Sequence, residues 1–152
     1  MRLTDITEQD LIHYLDTTED RHLGWLERAH HEQNNRTRDY FSMIRDELNR
    51  ARSSVVRYDI PVLTLYRGLE KPHDARIDGR HWTPVKNIAH DFGKHVYVAR
   101  VPNEMVDWVA TIAHRIGHHH EQEITLIHGA KLKIEMVESL SRWVDVINDA
   151  TY

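Results

Sequence analysis

The feature that most constrains this chain is a change of apolar period near Val55. Before it, apolar residues recur at helical spacing; after it, they alternate or run in short β-branched stretches. Thr7, with Asp10 three residues on, predicts a helix start ahead of Leu11, Tyr14 and Leu15. A second periodic stretch begins near Thr18 and carries Leu23, Trp25, Leu26 and Ala29. A third spans about residues 36–52 with Tyr40, Phe41, Ile44, Leu48 and Ala51, and Ser53-Ser54 is expected to close it. Beyond Val55, residues 61–66 read as a strand ending in a turn at Arg67-Gly68, and residues 69–80 as a loop. Thr83 is expected to cap a short helix with Pro84 at its first position, Ile88, Ala89 and Phe92 on its buried side, and Gly93 as its stop. Residues 95–101 alternate like a strand, and 103–116 have helical spacing. Residues 124–127 and 132–137, around Gly129, suggest a hairpin or two successive strands. The tail, with Trp143, Val144, Val146 and Ile147, favours a last strand.

Helices first, then an antiparallel-leaning sheet interrupted by two helices, is an α+β pattern. With 152 residues the chain is expected to form one domain, a helical part over 1–56 followed by a β-rich part over 57–152. The net charge of -4, spread over both halves, gives no basic surface, so nucleic acid is not an expected partner. The absence of cysteine removes disulfides, thiolate zinc sites and cysteine nucleophiles. No apolar run approaches the ~20 residues that span a bilayer, and the N-terminus lacks a signal peptide's apolar stretch. A cytoplasmic setting, in the producing or a host cell, and no membrane partner are therefore expected.

Three places depart from a bland domain. Arg67 follows an apolar strand beside Gly68; an arginine there either forms a structural ion pair or offers its donor fork to a phosphate. His81-Trp82-Thr83 is either a helix start with a buried aromatic, or a donor, a stacking surface and a hydroxyl gathered at a ligand. Glu121 and Glu123 flank Gln122; in a strand both carboxylates would share one face, an arrangement suited to chemistry, unless this is only an exposed strand start. The chain also holds 13 histidines, with His118, His119 and His120 consecutive and His114 four residues before His118. That run is a solvated loop, a substrate contact, or a metal site, the last weakened by the expected helix stop at Gly117.

Taken in order, these motifs resemble the arginine–serine–glutamate class of ADP-ribosyltransferases, which includes bacterial toxins and phage enzymes. In that family the first strand ends in an NAD-binding arginine, matched by Arg67. A Ser-Thr-Ser strand follows, with Ala and an aromatic six and nine residues after its last residue. Thr83, Ala89 and Phe92 keep that spacing, although the strand itself reads His81-Trp82-Thr83. The family's Glu-x-Glu motif, with a glycine six residues beyond, is matched by Glu121, Glu123 and Gly129. The resemblance covers about residues 62–138. It implies cleavage of NAD and transfer of ADP-ribose to a protein acceptor, with NAD as co-substrate and no metal. On that reading Glu123 acts on the ribose and Glu121 selects the acceptor, arginine being favoured by a glutamate there. Arg67 pairs with an NAD phosphate, Gly68 holds the carboxamide, His81 and Thr83 orient Glu123 and the ribose, and Trp82 and Phe92 line the NAD site. The loop at His118, His119 and His120 would meet the protein substrate. An NAD glycohydrolase on the same fold and a non-catalytic protein-binding module are the other functions the sequence leaves open.

Overall fold

The computed structural model describes residues 2–18, 38–71, 79–117 and 122–139. Helix α1, Glu8–Thr17, begins with a reciprocal cap: the Thr7 hydroxyl accepts from the Asp10 amide, and the Asp10 carboxylate accepts from the Thr7 amide at 2.8 Å. Leu11, Ile12 and Leu15 form its buried side. The second expected helical stretch falls outside the described residues from position 19 onward.

Helix α2, Arg38–Val55, buries Tyr40, Ile44, Leu48, Ala51 and Val55 along one stripe. The serine pair does not end it. Ser54 donates its hydroxyl back to the Ala51 carbonyl at 2.6 Å, and the fully buried Val55 gives the last turn an apolar anchor.

Strand β1, Val62–Leu69, runs straight through the expected turn at Arg67-Gly68. Arg67 pairs with Tyr97 and Gly68 with Val96 on strand β3, His95–Pro102, so the antiparallel partner carries the strand onward. Strand β2 is the short His81–Trp82, and helix α3 is Lys86–Phe92. Thr83 is not its cap; Thr83 forms a backbone bridge with Tyr66, and Val85 occupies the N-cap position. Helix α4, Trp108–Gly117, starts later than its spacing predicts because Val106 is held in a bridge to Leu126. Asp107 then caps the helix by accepting from the Ala110 amide at 3.0 Å.

Strand β4, Ile124–Thr125, and strand β5, Ile134–Ser139, form no hairpin. They belong to different sheets, β5 extending a three-stranded sheet of order β1-β3-β5 and β4 pairing with β2. All of these pairings are antiparallel. The Tyr66–Thr83 bridge, with hydrogen bonds of 2.7 and 2.9 Å, links β1 to the residue just after β2 and so joins the two sheets. The result is a mixed helix and sheet fold with open antiparallel sheets. The expected last strand in the tail lies outside the described residues. Among the described residues, no helix is long and apolar enough to cross a membrane.

The core lies between the helices and the sheets. Leu63 and Leu65 from β1, Ala99 and Val101 from β3, and Ile112, Ala113 and Ile116 from α4 meet the apolar sides of α1 and α2 there. Helix α3 packs on the opposite side, over β1. A β-carbon on Gly68 would overlap the Ala89 carbonyl, and one on Gly93 would overlap the Leu69 carbonyl. Both obstacles are backbone, so neither can yield cheaply. Gly68→Ala should therefore lower stability by about 1–3 kcal/mol, read as a urea midpoint shift. An unchanged midpoint would show that α3 lifts away from β1 freely.

Candidate active site

Between α3 and the sheet junction lies a cleft of about 370 Å³. Arg67, Gly68, His81, Trp82, Thr83, Phe92 and Glu123 all line it, although they come from separate parts of the chain. Its size falls within the range of small-molecule sites. Glu121, His118, His119 and His120 lie outside the described residues.

Glu123 is placed by the anchoring of β4 to α4. The Thr125 amide donates to the Thr111 hydroxyl at 3.0 Å, and the Asp107 amide donates to the Thr125 carbonyl at 2.8 Å. Across β4, His81 pairs with Thr125 and Trp82 with Ile124, which brings His81 beside Glu123. The carboxylate is gripped from two sides. One oxygen lies 2.9 Å from His81 Nδ1 and the other 3.3 Å from Nδ1 of His114 on α4. The two imidazole rings stand edge to face with centroids 5.4 Å apart. The Glu123 side chain is only 16% exposed and His114 is buried, whereas His81 is half open to the cleft. A carboxylate so held keeps one orientation and little freedom to turn away.

Gln122 has φ +46, in the left-handed region, and β4 begins only at Ile124. Regular strand alternation, the premise that would place Glu121 and Glu123 on one face, does not hold at Gln122.

Arg67 donates from Nη1 to the His81 carbonyl at 2.6 Å, tying β1 to β2 across the floor of the cleft. Gly79 makes room for it: a β-carbon there would stand 2.5 Å from the guanidinium. Thr83 turns its hydroxyl to the Val85 amide at 3.2 Å, so it shapes the entry to α3. Trp82 is essentially buried, with its indole N–H donated to the Gly79 carbonyl at 2.7 Å, and anchors the cleft wall in the core. Phe92, expected on the buried side of α3, is instead 51% exposed. It stands on the rim of the cleft, where an aromatic face is available to a planar ring.

His114 is the residue whose contact with Glu123 the sequence did not reveal. It lies mid-helix among inward-facing apolar residues, and only the fold brings it to Glu123. His81, His114 and Glu123 present three ligand atoms within 4.8 Å of one another, a nitrogen and oxygen set that suits a transition-metal ion. Comparison with protein-family models, curated proteins and solved structures finds no match to this chain.

Proposed function

We propose that the cleft binds NAD and that the protein transfers ADP-ribose from it to a protein acceptor, as the resemblance to ADP-ribosyltransferases implies. The observation that carries this reading is the meeting of Arg67, His81 and Glu123, from three separate motifs, around one cleft. Glu123 would lie against the nicotinamide ribose. As the bond from the ribose carbon to nicotinamide breaks, its electron pair leaves with nicotinamide and positive charge grows on the sugar. A fixed carboxylate stabilises that charge without reorganising. The acceptor's lone pair then forms the new bond to the ribose carbon, and the proton shed by that acceptor passes to solvent. Arg67 would supply donors to the diphosphate, and Phe92 a surface for one of the rings. An arginine acceptor is favoured by Glu121 on the same resemblance.

Labelled NAD incubated with the protein and a cell lysate should yield free nicotinamide and labelled acceptor protein. NAD left intact would defeat the reading, and consumption without labelled protein would assign a glycohydrolase.

A second reading rests on the cluster of His81, His114 and Glu123, which would serve a metal-dependent hydrolase. Chelation separates the two. Nicotinamide release should survive EDTA and metal-free buffer, whereas a metal enzyme would lose its activity and recover it with zinc.

A further inference from the structure

Arg115 is a buried charge that the NAD reading leaves unused. It follows His114 on α4 and is only 4% exposed. Among the described residues, nothing accepts a hydrogen bond from its Nε or Nη2. Burial draws its pKa below the ordinary arginine value; Tyr58 opposes that shift, Arg57 adds to it, and Glu123 opposes it. A guanidinium is costly to bury without an acceptor, and its five donors fit an oxyanion.

Arg115 lines an open cleft with Ser53, Ser54, Val56, Arg57 and Gln122. Among the described residues, no carboxylate lines this cleft. The Arg57 guanidinium lies 4.8 Å from the centroid of the Tyr58 ring and reaches Gln122 Oε1 only at 3.4 Å, so among the described residues most of its donors remain unengaged. The exposed Ser53 hydroxyl adds another donor. Two guanidinium groups match the double charge of a phosphoryl group better than the single charge of a carboxylate. The left-handed turn at Gln122 separates this cleft from the first: Gln122 lines one and Glu123 the other.

We propose that this second cleft binds a dianionic phosphoryl group, either free phosphate or a phosphomonoester, through Arg115 and Arg57. The site neighbours Glu123 but is separate from the NAD cleft, so its occupancy does not depend on NAD.

Calorimetric titration with inorganic phosphate and with phenyl phosphate, at constant ionic strength in chloride, tests this. Wild-type protein should bind inorganic phosphate saturably at one site, and Arg115→Met should abolish that binding. Arg57→Met, a change at an exposed position, should weaken it at least about tenfold and keeps the test decisive should Arg115→Met fail to fold. Binding of both probes assigns a phosphomonoester, and binding of inorganic phosphate alone assigns the free ion. Absence of saturable binding, or equal affinity in wild type and Arg57→Met, overturns the proposal. So does loss of phosphate binding in Arg67→Ala, because the ion would then occupy the first cleft.

Discussion

Glu123→Gln should reduce nicotinamide release from NAD by about 10² to 10³ while the protein stays folded. The substitution keeps the size of a side chain that is 16% exposed and removes its charge and one acceptor oxygen. Glutamine still offers one oxygen to an imidazole N–H, but it cannot accept from both His81 and His114 at once. On the transferase reading the larger loss comes in the transition state, where a neutral amide does little for a positively charged ribose. The Glu121→Gln variant provides the contrast. If Glu121 acts on the acceptor, its loss should end arginine labelling and spare NAD cleavage. Chromatography of released nicotinamide, beside thermal melts of each variant, gives the result. Wild-type release from Glu123→Gln would remove Glu123 from the chemistry and the transferase reading with it.

Local signals in the sequence were reliable where local physics decides. The Thr7 and Asp10 cap needs only its own backbone turn, and it forms as the spacing predicts. The strand at 95–101 alternates because one face meets the core, and it is found there. The misjudged positions are those where a partner distant in sequence competes for the same groups. Arg67-Gly68 resembles a turn, yet β3 offers a full antiparallel edge and holds both residues in the strand. Thr83 has a good cap's chemistry, yet its backbone is claimed by Tyr66 and its hydroxyl by Val85. Residues 103–107 have helical spacing, yet Val106 pairs with Leu126 and delays the helix.

The cleft shows the same division. Local chemistry and the family resemblance together pointed to Arg67, His81 and Glu123, and the fold places all three around one cavity. What spacing could not show is how Glu123 is held. The expectation of two carboxylates on one strand face assumed regular alternation, and the left-handed Gln122 removes that premise. The support comes instead from α4, an element whose period marks it only as core. Thr111 and His114 lie one helical turn apart on that helix; the first fixes the backbone of β4 and the second touches the carboxylate.

If Glu123 acts on NAD, that arrangement makes His114 a positioning residue with a measurable effect. Its Nδ1 stands 3.3 Å from Glu123, inside the core boundary rather than in the open cleft. A hydrogen bond to a charged group contributes about 1.5–3 kcal/mol, so its removal should cost about 10- to 150-fold in kcat. His114→Leu removes the ring nitrogens and keeps an apolar body of similar reach. His114→Asn places an amide N–H near the former Nδ1 and should restore most of the rate. KM for NAD should change little in either variant, because His114 acts on the carboxylate and does not reach the dinucleotide. A purely structural histidine would behave differently: His114→Leu would alter the melting temperature and leave kcat intact, and asparagine would bring no recovery. Steady-state nicotinamide release, measured well below each variant's melting transition, separates the two outcomes. Equal kcat in wild type and His114→Leu would mean that Glu123 is held by His81 and the β4 backbone without help from α4.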